Sequence, residues 1–164
     1  MPFKLGRGTN ISHWLSQSDA RGDERRRRFT REDVARLAAL GLDHLRLPVD
    51  EEQLWDDQGA PHEEAWDLLQ QGLDWTLEAG LNAVVDLHIL RTHHFNEGPK
   101  PLFTEAAAAE AFADCWRKIS ERLGDRPRDR VAYELLNEAV ADDPADWNRV
   151  LHLAYRTVRA LEPQ

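Results

Sequence analysis

The 164-residue sequence contains one cysteine, Cys115, so neither an intramolecular disulfide nor a multi-cysteine zinc framework can form. It has no run of about 18 apolar residues, which excludes a transmembrane helix. The first eight residues carry Lys4 but no apolar stretch, so no secretory signal is expected in this chain. Positive charge is also scarce. Lysine and arginine total 21 against 30 acidic residues, a net charge of −9. That balance argues against a nucleic-acid partner or an anionic membrane surface. By contrast, 41% of the residues are hydrophobic and six are tryptophan, which is too much apolar content for a disordered chain. The expectation is a soluble, acidic, single globular domain over residues 1–164, large enough to bury a core.

Glycines punctuate the chain. Helical patterns end at Gly41, Gly80 and Gly124, where left-handed C-terminal caps are expected. After the first two comes nearly the same phrase, Gly41-Leu42-Asp43-His44-Leu45-Arg46-Leu47 and then Gly80-Leu81-Asn82-Ala83-Val84-Val85-Asp86-Leu87-His88. This looks like a repeated helix–loop–strand unit. Val131 to Leu136 reads as a further strand, and Lys4 to Asn10 as a weaker first one. Four helices are expected between and after them. Thr30 caps the first, through Leu40, with Asp33 at the capping-box position. The second runs from about Glu63 to Ala79. Thr104 caps the third, through Leu123, and Asp143-Pro144 opens the fourth. Arg25 to Arg28 is placed in a charged loop before the first helix, on a solvated face. Strand–helix alternation repeated four times implies parallel strands joined by right-handed crossovers, an α/β fold.

In parallel α/β folds the chemistry gathers at the C-terminal ends of the strands. Those ends read Gly8-Thr9-Asn10, Arg46-Leu47-Pro48, Asp86-Leu87-His88 followed by His93-His94, and Leu135-Leu136-Asn137-Glu138. Period-two alternation puts His44 with Arg46, Asp86 with His88, and Glu134 with Leu136 and Glu138 on common faces. In a closed barrel Arg46, His88 and Glu138 would meet at the mouth. Asp86 and Glu134 would lie one layer deeper and need a cation, for which Arg46 is the candidate. Each has an ordinary structural role as its alternative. Arg46 would only neutralise carboxylates, His88 would be a hydrogen-bonded core histidine, and Glu138 would cap the fourth helix.

These four strand ends resemble, in order and spacing, the first four of glycoside hydrolase family 5, the cellulase-like (β/α)8 barrels. The resemblance covers nearly all of this chain but only the N-terminal half of the family's barrel. It implies a (βα)4 half of a TIM-type barrel and a retaining endo-β-glycosidase acting on β-1,4-linked polysaccharide. Glu138 is then the general acid/base and Asn137 the contact to the sugar 2-hydroxyl. Arg46 orients the nucleophile, and His88 lines the subsite of the cleaved sugar. One departure is Ala139, where the family usually has proline. Trp14 and Trp55, in expected strand-to-helix loops, are candidate sugar platforms beside Asn10, His93 and His94; core packing is the alternative for both rings. No metal and no cofactor are expected.

The resemblance places the nucleophile on strand seven, whereas this sequence runs out after its fourth helix. The isolated chain is therefore expected to be weakly active or inactive. Its open barrel face is expected to drive homodimerisation or other self-association. Two other readings stand beside this one. One is a non-catalytic or engineered half-barrel scaffold that self-associates. The other is a metal-dependent hydrolase built on Asp86, His88, His93 and His94.

Overall fold

The computed structural model describes residues 3–93 and 99–163. Its elements follow in the order β1 (Gly8–Asn10), α1 (Gly22–Arg28), α2 (Arg31–Ala39), β2 (His44–Asp50), α3 (Glu51–Leu54), α4 (Glu63–Glu78), β3 (Asn82–Ile89), α5 (Pro101–Thr104), α6 (Ala106–Leu123), β4 (Val131–Glu134) and α7 (Pro144–Leu161). The strands form a four-stranded parallel sheet in sequence order, β1-β2-β3-β4. Strand–helix alternation thus becomes a sheet in which each crossover advances by one strand.

The chain divides into two compact units. The first, Met1–His88 with Pro127–Glu134, contains α1 to α4 and all of the sheet except Ile89. Along β2 the alternate residues Leu45, Leu47 and Val49 are fully buried, as are Ala83, Val85 and Leu87 along β3. α4 packs against β2 and contributes Ala65, Trp66, Leu69 and Leu73 to the same apolar layer. Burying each of those leucines stabilises the fold by roughly 1.5–3 kcal/mol relative to exposure. The expected capping box is present, with the Thr30 side chain accepting from Asp33 N–H and the Asp33 carboxylate accepting from Thr30 N–H. Gly41 and Gly80 take φ of 80° and 81°, the left-handed turn from which each strand departs.

Three details differ from the sequence reading here. Arg25 to Arg28 is helical, within α1, and Arg25 is buried: it donates to the Ala20 carbonyl and to Gln53 Oε1. The solvated-face reading therefore fails for Arg25, because the nearby Ala20 carbonyl and the distant Gln53 amide oxygen satisfy its guanidinium. The first strand is only three residues long, and α3 is an additional turn of helix directly after β2.

The second unit, Ile89–Arg126 with Leu135–Gln164, contains α5, α6 and α7 packed on one another. Asp143 caps α7 as expected, its side chain accepting from Ala145 N–H at 2.8 Å. Thr104 does not cap α6. It ends the short α5, and its hydroxyl bonds the Lys100 carbonyl instead. Gly124 is right-handed (φ −62°) rather than left-handed, and glycine is needed there for space. A Cβ would sit 2.7 Å from the Ser120 carbonyl oxygen.

Asp43 ties the N-terminal segment to the sheet. Its carboxylate accepts from Gly6 N–H (3.0 Å), Arg7 N–H (2.9 Å) and His44 Nδ1 (2.6 Å). The bond to His44, then those to Arg7 and Gly6, lower its pKa from 3.8 to about 2. A depressed carboxyl pKa contributes stability that is present above 3.8 and lost as pH falls through about 2. NMR titration of the Gly6 and Arg7 amides is expected to show a midpoint near 2; a midpoint near 3.8 would contradict the clamp.

Candidate active site

A polar cluster of the first unit is built on Arg46, from β2. Its guanidinium grips Glu134 of β4 bidentately, with Nε to Oε2 and Nη2 to Oε1 both at 2.8 Å. Nη2 also lies 2.8 Å from Asp86 Oδ2 on β3, and Nη1 donates to Asn10 Oδ1 of β1 at 2.9 Å. All four strands therefore meet on one side chain. The register explains why. Asp86 and Glu134 are direct partners across the β3–β4 pair, and Asn10 is the partner of Arg46 across β1–β2. Residues paired this way project from the same face. The deeper carboxylates thus find their cation in Arg46, whose planar fork suits simultaneous recognition of several acceptors.

Asp86 is fully buried and also accepts from His88 Nδ1 at 2.7 Å. Burial raises its pKa and the Glu134 charge adds to that, while the His88 bond and the Arg46 charge pull the other way. Because a carboxylate only accepts, the His88 proton resides on Nδ1, and Nε2 is an acceptor when the ring is neutral. Asp50, at the end of β2, is a second buried carboxyl whose pKa burial raises; its bond from Gln17 N–H (2.6 Å) and the nearby His88 charge oppose the rise. Through that bond Asp50 anchors the chain after β1, where Gln17 takes φ +49°. Asp50 is not among the residues expected from the sequence, although it stands at the C-terminal end of a strand, where polar groups gather.

Asn10 is engaged on both sides of its amide, accepting from Arg46 and donating to Ser12 Oγ at 2.7 Å. The tryptophan platforms are overturned. Trp14 is 1% exposed, stacked edge-on against Phe29 at 4.9 Å, with its ring over Gly72, where a Cβ would come within 2.8 Å. Trp55 is 4% exposed and lies edge-on to Trp66 at 5.5 Å. Neither indole has an open face for a pyranose. Partners on α4 and beside α1, remote in sequence, convert both loop tryptophans into core.

Glu138 and Asn137 belong to the second unit. β4 stops at Glu134, and Glu138 takes φ +43°, so strand alternation does not extend from Glu134 to Glu138. The Glu138 side chain is exposed and Asn137 is half-buried. His93 is 4% exposed, packed edge-on against Phe103 at 5.4 Å, with Nε2 3.0 Å from the Glu138 carbonyl oxygen. It faces protein, not sugar, contrary to its expected place among substrate contacts. His94 lies outside the described residues. Among the described residues no group of three or more His, Cys, Asp or Glu could hold a metal ion. The Asp86 oxygen nearest His88 is already shared with Arg46.

A parallel sheet in this order, interleaved with helices, is half of a TIM-type (β/α)8 barrel. The crystal structure of endoglucanase Cel5A from Thermotoga maritima aligns over 96% of this chain and 48% of its own, with a TM-score of 0.76 at 23% identity. That of the cellulose synthase subunit Z (CcsZ) from Clostridioides difficile aligns over 98% and 50%, with a TM-score of 0.77 at 24% identity. Residues 8–164 match Cellulase (glycosyl hydrolase family 5), and the chain belongs to that family. Endoglucanase C of Acetivibrio thermocellus is 29% identical over 159 residues, covering 94% of this chain and 46% of the relative. Cellodextrinase A of Ruminococcus flavefaciens is 29% identical over 163 residues, covering 96% and 48%. The chain spans about half the length of the curated relatives it matches.

Proposed function

We propose that these residues form the acid/base-bearing half-barrel of a retaining endo-β-glycosidase that hydrolyses β-1,4-linked glucan. Glu138 protonates the leaving oxygen and then deprotonates the attacking water. Asn137 contacts the sugar 2-hydroxyl. Arg46 orients the second carboxylate and His88 lines the subsite of the cleaved sugar. The observation that carries the reading is Glu138 itself: an exposed carboxylate on a left-handed residue just beyond β4, in a chain of this family. The names of the relatives, endoglucanases and a cellodextrinase, support β-glucan as the substrate class.

Retention requires two carboxyl groups about 5–5.5 Å apart. The family resemblance places the second on strand seven, and these residues supply four strands. Alone, they are expected to hydrolyse cello-oligosaccharide weakly or not at all. Turnover is expected once a second half-barrel supplies that carboxylate, and Glu138→Gln should remove it.

The sheet has parallel edge strands at β1 and β4, and edge strands favour pairing with another copy. In a homodimer the second Glu138 would take strand position eight rather than seven, so dimerisation would not create the retaining pair. Sedimentation is expected to give twice the 18.9 kDa chain mass, and a monomer at micromolar concentration would overturn the pairing.

A further inference from the structure

We propose that His93 is the positioning residue for Glu138, holding its backbone in the left-handed conformation through a hydrogen bond from Nε2 to the Glu138 carbonyl. The inference rests on the reading of Glu138 as the acid/base.

The left-handed conformation of Glu138 carries a cost. A non-glycine residue in the left-handed region is disfavoured by roughly 1–2 kcal/mol, so surrounding contacts must fix it. Glu138 has φ +43°, and β4 ends four residues earlier, so no ladder bond of that strand holds it. Two ring N–H groups from the same compact unit hold the segment instead. Trp116 Nε1, from α6, donates to the Leu135 carbonyl at 2.8 Å, and His93 Nε2 lies 3.0 Å from the Glu138 carbonyl. These bonds grip the first and last residues of the Leu135–Glu138 segment. A carbonyl accepts only, so the His93 proton must be on Nε2, the opposite assignment from His88.

The His93 ring is itself held in place. It is buried against Phe103, whose carbonyl accepts from Arg149 Nη2 on α7. Lys100 and Asp142 form an ion pair between the same two connections, the one after β3 and the one after β4. The chain after β3 therefore braces the chain after β4, and His93 is the residue of that brace bonded to Glu138 itself. A sugar-binding role would need an accessible ring, which a 4% exposed histidine does not offer.

The test is NMR on the isotope-labelled 164-residue chain, comparing wild type with His93→Gln and His93→Phe. Glutamine places an amide N–H where Nε2 stands, whereas phenylalanine keeps the ring packing without a donor. Wild type should show a His93 ring protonated at Nε2 and backbone carbon shifts at Glu138 diagnostic of positive φ. His93→Gln should retain the Glu138 signature and His93→Phe should lose it, with the α6 and α7 resonances unchanged. A wild-type ring protonated only at Nδ1, or a Glu138 signature intact in His93→Phe, would overturn the proposal. Should His93→Phe fail to fold, the wild-type tautomer and His93→Gln still decide the matter. Because no turnover is read, failure here is distinct from failure of the acid/base assignment.

Discussion

Arg46→Ala is expected to destabilise the chain by about 3–5 kcal/mol, the range for removing one partner of a buried ion pair. Most of the loss should come from Asp86, which is fully buried and would keep only His88 as a side-chain partner. Glu134 is 38% exposed and would recover much of its interaction with water, so its share should be small. The sign of the pH dependence follows from Asp86. Burial already raises its pKa, and removing the guanidinium would raise it further. A carboxyl with a raised folded pKa loses stability as pH rises from its ordinary value of 3.8 towards the folded one, so the deficit of the variant should grow as pH rises above 3.8. Arg46→Lys keeps a charge but not the fork, and should fall between wild type and alanine. Urea unfolding midpoints measure all three. A change below 1 kcal/mol for Arg46→Ala, or a deficit that shrinks with rising pH, would contradict this account of the cluster.

That cluster was legible in the sequence because its logic is local to each strand. Period-two alternation places Asp86 and His88 on one face, and parallel pairing aligns Asp86 with Glu134 and Asn10 with Arg46. A buried carboxylate needs a cation, and Arg46 was the candidate on the neighbouring strand. Helices were legible for a similar reason. The Thr30–Asp33 box and the Asp143 cap are satisfied within three residues.

Burial that depends on remote partners was not legible. Trp14 reads as a loop tryptophan until Phe29 and the bare backbone of Gly72 arrive beside it. Arg25 reads as one of four solvated arginines until Ala20 and Gln53 accept from it. Glu138 presents a third case. Extending the alternation of β4 assigns it a face, yet the strand stops at Glu134 and the chain turns left-handed. What fixes that turn is a histidine 45 residues earlier, a dependence no periodicity records.

The second large effect concerns catalysis. A retaining site divides its work between a nucleophile and an acid/base, and removing either disables the cycle. The proposed assignment gives this chain only the acid/base. With a second half-barrel in place, Glu138→Gln should lower turnover of cello-oligosaccharide by about 10²–10⁴-fold, the usual contribution of positioned proton transfer. An amide can still hydrogen-bond the glycosidic oxygen but cannot protonate it, so KM should move far less than kcat.

The most direct measurement is cellopentaose hydrolysis by the purified 164-residue chain, alone and joined to the second half of a family 5 barrel, each with and without Glu138→Gln. Turnover is predicted only for the joined form that retains Glu138. Full cellulase-like turnover by the 164 residues alone, or a joined form whose rate survives Glu138→Gln, would contradict the account.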